Sequence, residues 1–167
     1  EHVDLDVRIQ PERKFLSGVA QLTLSTRIAQ TRLLIDLDKN FGVSGISIDG
    51  APLKAGSWRN PDGRLVIDLP KPIPAGGKVV AKISYAGTPH EAVNAPWDDG
   101  IVWSEWQGKP WVATTAQGYG CDLYWPCLDF PAGEIPEIKL AITTAGYPAI
   151  ANGKLLLVDK VPGGTRW

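Results

Sequence analysis

The chain is poor in residues that usually carry out hydrolytic chemistry. It has two histidines, His2 and His90, and two cysteines, Cys121 and Cys127. A hydrolase needs a nucleophile beside a base, or a metal held by several imidazole or carboxylate ligands. The sequence contains no H-E-x-x-H, no G-x-S-x-G and no glycine-rich phosphate loop. His2 lies in strand-like sequence near the start and reads as a solvated side chain. His90 stands beside Glu91 and has the chemistry of a base, but a surface-loop histidine is the simpler account of it. Five residues separate Cys121 from Cys127, and with only two histidines to complete a ligand set the pair makes a poor zinc site. They read as two thiols packed like small hydrophobes, with a disulfide left open. Asp98-Asp99 and the Asp36/Asp38 pair lack the close oxygen-rich loop that calcium demands, and turn or edge aspartates explain them as well.

The richest stretch runs from Thr114 to Pro131 and holds both cysteines. Gly118 and Gly120 allow a tight loop that presents the amide of Gln117 outward. Pro126 and Pro131 force extended or turning chain around Cys127 and Asp129. A glutamine there offers one acceptor and two donors, enough to grip a peptide terminus. The competing reading is a glutamine bonded only to its own loop. Asp129 reads as a brace for the loop, and the tryptophans as core or partner-facing rings.

The elements that must position this loop are legible as short alternating runs. Val3-Leu5-Val7-Ile9 alternates with Asp4, Asp6 and Arg8 at period two. Similar runs cover Val19–Ile28 (after a turn over 13–18), Arg32–Leu37, Val43–Ile48, Leu65–Leu69, Lys78–Ala86 and Ile138–Thr143. Asp49-Gly50 predicts a hairpin, and Gln107-Gly108 sits between Ile101–Trp106 and Lys109–Thr114 as a second one. Asn152-Gly153 is a turn before the apolar run Lys154–Val158, and Pro162-Gly163-Gly164 turns into Thr165-Arg166-Trp167. No window has helical periodicity. The expected fold is a single all-β domain of curved, antiparallel-dominated sheets, a saddle-like β-sandwich. A chain of 167 residues with net charge −1 buries a real core and shows no basic footprint for nucleic acid. No apolar run reaches the length of a membrane span. The compartment stays open between cytoplasmic and periplasmic or secreted.

At the loop the sequence resembles one family. Gln117-Gly118-x-Gly120-Cys121-Asp122-Leu123-x-Trp125-Pro126-Cys127-x-Asp129-x-Pro131 is similar to the segment preceding the catalytic domain in the aminopeptidase N and leukotriene hydrolase family of zinc metallopeptidases. Leu5-Asp6-Val7, Phe15 with Ser17-Gly18, Leu34 with Asp36-Leu37, Ala92–Trp97 and Asn152–Leu155 agree, so the likeness spans nearly the whole chain. It implies that residues 1–167 form an N-terminal β-saddle, ending before a thermolysin-like catalytic domain against which its concave side packs. It implies that zinc belongs to that next domain, that this chain needs no cofactor and is inactive alone, and that Gln117, with Gly118, helps hold the substrate's free amine. The sequence departs from the family at Ala116, Tyr119, Phe130, Tyr147 and Ile150. With Leu128, Trp125 and Tyr124, the apolar departures suggest a surface patch. A second expectation is therefore a stand-alone protein-binding module, natural or engineered, with contacts at Tyr119, Trp125, Leu128, Phe130, Tyr147 and Ile150.

Overall fold

The computed structural model describes residues 2–130 and 135–167. Thirteen strands follow in order: β1 His2–Gln10, β2 Phe15–Ser25, β3 Gln30–Asp36, β4 Phe41–Ile48, β5 Ala51–Pro52, β6 Trp58–Arg59, β7 Arg64–Ile73, β8 Lys78–Gly87, β9 Gly100–Trp106, β10 Lys109–Thr115, β11 Ile138–Thr144, β12 Asp159–Val161 and β13 Gly164–Arg166. Only short 3-10 turns interrupt them, and no helix among the described residues is long and apolar enough to cross a membrane.

The strands form an eight-stranded sheet in the order β12-β13-β11-β1-β2-β8-β4-β5, a three-stranded sheet β3-β7-β6 and the hairpin β9-β10. Pairing is antiparallel except between β1 and β11, which run parallel from Val3–Ile138 to Arg8–Thr143. The alternation seen in the sequence fixes which face is dry. Val3, Leu5 and Val7 are buried beside Ala20, Leu22, Ala81 and Ile83, while Asp4, Asp6 and Arg8 face out. Ile35, Leu65, Ile67 and Ile73 of the small sheet join the same continuous core. The all-β, antiparallel-dominated reading holds, and the shared core makes it a sandwich.

The outward face of the large sheet is a charged groove of about 860 Å³ lined by Asp4, Asp6, Arg8, Lys82, Lys139 and Arg166, among others. Arg166 Nη2 lies 2.9 Å from Asp6 Oδ2 within it.

Two boundaries differ from the sequence reading. The first turn is Pro11–Lys14, with Lys14 left-handed at φ 48°, and β2 already starts at Phe15. Gly18 is strand rather than turn. A Cβ there would stand 3.0 Å from the Asp6 carbonyl and from the Tyr85 hydroxyl, so glycine lets these groups close in. The Asp49-Gly50 turn forms as expected, both residues having positive φ. Residues 154–158, by contrast, carry no strand pairing and lie exposed before β12.

Candidate functional site

The loop that leaves β10 at Thr115 is anchored on three sides. Asp99, just before β9, is 3% exposed and aims its carboxylate at the loop backbone. It accepts the N–H groups of Gln117, Gly118 (2.7 Å) and Tyr119. The bonds from Tyr119 and Gln117 hold the Asp99 carboxyl below its ordinary value, with a further contribution from His90, against the opposing effect of burial. Tyr124 supplies the second anchor. Its hydroxyl oxygen sits within bonding reach of the Thr115 and Gly100 carbonyls and accepts the Gly100 N–H at 3.3 Å. Burial raises the Tyr124 phenol above its usual range. Behind it, the Tyr85 hydroxyl donates to the Tyr124 carbonyl at 3.0 Å.

The third anchor is the end of β3. Asp36 and Cys127 exchange both backbone hydrogen bonds, at 2.8 and 2.9 Å. Asp38 N–H donates to Asp122 O at 3.0 Å, and Asp129 N–H to Asp36 Oδ2 at 3.2 Å. A disulfide joins Cys121 and Cys127 across a Cα–Cα distance of 6.2 Å. The cysteines are therefore not free thiols: the 3-10 turn at Cys121–Leu123 folds the chain back so that the first sulfur meets the second. Asp129 lays its carboxylate where a Gly120 side chain would be, so an added Cβ there would have to displace it. Burial, then the neighbouring Asp129, raises the Asp122 carboxyl.

Gln117 and Gly118 are exposed at the tip of this bracing. Among the described residues no hydrogen bond engages the Gln117 side-chain amide; only its backbone N–H is used. Tyr119, Leu128, Phe130 and Ile150 are exposed, Phe130 at 65% and Ile150 at 94%. Trp125 and Tyr147 differ from them. Trp125 is half-buried and packs on the core, which leaves only part of its ring for a partner. Tyr147 is half-buried with its phenol pushed up to about 12, mainly by burial and then by Glu12.

The remaining polar candidates have structural partners. Asp98 accepts the Val93 and Asn94 N–H groups at 2.6 and 2.7 Å. His2 is not simply solvated: it lies 3.1 Å from Asp4 and 3.3 Å from Glu137. His90 is exposed, and its carbonyl accepts the Ile101 N–H. No group of three or more His, Cys, Asp or Glu among the described residues could hold a metal. With both sulfurs in a disulfide and His2 placed between carboxylates, this donor set does not fit a zinc centre. The sequence missed Asp99 and Tyr124 as organisers, because neither stands in a local motif.

No protein-family model and no curated protein matches the chain. Solved structures do. An M1 zinc metallopeptidase from Deinococcus radiodurans matches with TM-score 0.79 at 24% identity, over 99% of this chain and 37% of that one. A two-domain M1 zinc metallopeptidase bound to L-tryptophan matches with TM-score 0.78 at 23% identity. Native yeast LTA4 hydrolase matches with TM-score 0.72 at 19% identity, over 99% of this chain and 26% of that one. The chain thus spans well under half the length of the solved proteins it matches, and it has the fold that M1 zinc metallopeptidases and LTA4 hydrolase carry over that part.

Proposed function

We propose that this chain is the N-terminal, non-catalytic domain of a zinc aminopeptidase, that it docks on a catalytic domain outside residues 1–167, and that Gln117 reaches the free amine of the substrate. The observation that carries the reading is the asymmetry at Gln117: its backbone is bound by Asp99, while its side chain is exposed and takes part in none of the loop's described bonds. A rigid backbone with a free amide is what a positioning group requires.

The docking face in this proposal is the loop end, not the outward face of the large sheet. The outward groove has charged side chains among its lining, whereas Tyr119, Leu128 and Phe130, in the same loop as Gln117, expose apolar side chains. That same exposure supports the second reading, a stand-alone module that binds another protein through these residues.

The test has two arms. The isolated chain should bind no stoichiometric zinc and release no N-terminal amino acids. Joined to its catalytic domain, Gln117→Ala should raise KM for free-amine peptides by roughly tenfold, the loss of one good hydrogen bond to a charged amine. Zinc-dependent activity of the isolated chain, or an unchanged KM, refutes the proposal.

A further inference from the structure

The charged groove on the outward face of the large sheet has an order that the strand register makes explicit. Residues level with one another on adjacent strands share a face. One such row runs Lys139 (β11), Asp4 (β1), Gln21 (β2) and Lys82 (β8). The next runs Ala141, Asp6, Val19 and Ser84, and both rows line the groove. Apart from Asp6, which is drawn to Arg166, the second row is built from short side chains. The groove is therefore a trough that crosses the strands. Its floor is low, and long cations stand along its edges, Lys139 and Lys82 on one side and Arg8 on the other.

These charges do not balance within the chain. Four cations and two carboxylates line the groove. Arg166 pairs with Asp6, and Arg8 spends its donors on the Gly163 and Pro162 carbonyls at 3.3 and 3.1 Å. Among the described residues Lys82 and Lys139 have neither an ion pair nor a hydrogen bond, and both are exposed. Asp4 meets Gln21 at 3.4 Å and His2 at 3.1 Å, both through Oδ2, so its Oδ1 has no described partner. The nearby carboxylates of Glu137, which lies against His2, and Asp159, level with Arg166, are outside the lining.

The first row thus reads cation, carboxylate, amide, cation, and its lysines stand three strand spacings apart, about 14 Å. A ligand that satisfies it has an anion at each end and a donor or cation between them. In an extended peptide, residues i, i+2 and i+4 project to one side, and i to i+4 spans about 13–14 Å. We infer that the trough binds an extended segment of a partner protein in which two acidic residues stand four apart with a lysine midway. The acids meet Lys139 and Lys82, and the lysine meets Asp4. The short side chains of the floor let the segment's backbone lie close, where Ser84 and Gln21 offer hydrogen bonds to its amides. A uniformly anionic chain, such as a nucleic acid, sets its middle charge against Asp4. A second copy of this chain does not supply the pattern, because nowhere in its sequence do two acidic residues stand four apart. The site shares no residue with the Gln117 loop, so either reading can fail alone.

The probe is the acetylated, amidated peptide Glu-Ser-Lys-Ser-Glu, titrated to millimolar concentration at about 10 mM ionic strength, where charges act over roughly 30 Å. The amide resonances of Asp4, Gln21, Lys82 and Lys139 should shift together and saturate, while those of Gln117 and Gly118 stay in place. Lys82→Gln and Lys139→Gln, at exposed side chains, should fold normally and weaken binding about threefold each and about tenfold together. The peptide Glu-Ser-Glu-Ser-Glu, although more acidic, should bind at least about threefold more weakly than the probe, and Asp4→Asn should remove that difference. The absence of a saturable shift, or binding untouched by the lysine changes, overturns the proposal. So does tighter binding of the more acidic peptide, which marks attraction by net charge alone.

Discussion

Asp99 holds Gln117 by its backbone and leaves its side chain free: the carboxylate accepts the Gln117 N–H while the residue stays exposed. Three successive N–H groups on one carboxylate make the loop conformation conditional on that charge. Asp99→Ala should therefore speed amide exchange at Gln117, Gly118 and Tyr119 by about tenfold or more while protection in β1, β2 and β8 is kept. The pH dependence has a definite sign. A carboxyl whose folded value lies below 3.8 contributes stability above 3.8 and loses it as pH falls through the lower folded value. Loop protection should persist through pH 4 and collapse only below it. Collapse near pH 5, tracked residue by residue, contradicts this.

The Cys121–Cys127 disulfide closes a small ring, and small rings stabilise modestly. For a sequence separation of 6, loop-closure entropy gives about 2 kcal/mol. In a chain of this size that is a fall in Tm of about 4–8 °C on reduction or in the Cys121→Ala, Cys127→Ala double variant. Thermal denaturation with and without reductant measures it, and an unchanged Tm shows that the bond is not formed in solution.

How much of this was readable from the sequence follows the range of the interaction. The strands of the large sheet come from period-two alternation, a local signal, and β1, β4 and β8 stand close to where it puts them. Gly18 misled, because the reason for glycine there is the approach of Tyr85, distant in the chain. The loop was recognisable by its glycines and prolines, but its anchors were not. Asp99 precedes Gln117 by 18 residues and Asp36 precedes Asp129 by 93. Trp125 packs on the core, a contact with residues distant in the chain that the loop's own sequence does not reveal. The run Leu155–Val158 lacks a partner strand, which alternation within the run cannot reveal.

Two glycines predict opposite outcomes from the same substitution. At Gly87 an added Cβ meets the Asn40 carbonyl oxygen at 2.1 Å, a backbone atom held by the β4–β8 pairing. Gly87→Ala should cost upwards of about 3 kcal/mol in chemical denaturation. At Gly120 the obstruction is the exposed carboxylate of Asp129, which can swing into solvent. Gly120→Ala should cost below about 1 kcal/mol, and most of that should vanish when Asp129→Ala is added, a coupling that a double-mutant cycle reads directly. Additive effects of the two changes would mean that Asp129 does not occupy the space beside Gly120.

Phe130 separates surface from core among the aromatics of the loop. At 65% exposure, Phe130→Asp should move stability by no more than about 0.5 kcal/mol. If the loop end is the docking face, the same change should weaken assembly with the catalytic domain by at least about tenfold in a binding titration. Unaltered assembly removes Phe130 from the interface.

Tyr85 links the core to the site and makes the domain sensitive to alkali. Its ring is buried edge-on to Phe41, with centroids 5.3 Å apart, and its hydroxyl donates to the Tyr124 carbonyl. Burial raises the phenol well above 10.0, so the folded chain keeps a proton that the unfolded chain releases. With more protons bound in the folded state, stability is flat below pH 10 and falls as pH rises from 10.0 toward the folded value. The slope approaches about 1.4 kcal/mol per pH unit for this one group. Tyr85→Phe should cost about 1 kcal/mol at pH 7, because the Tyr124 carbonyl loses its donor, and should then lose less than the parent between pH 10 and 11. Denaturation curves at pH 7, 10 and 11 decide it: parallel losses in the two proteins would show that the phenol is hydrated in solution and that the link from β8 to the Gln117 loop is not closed.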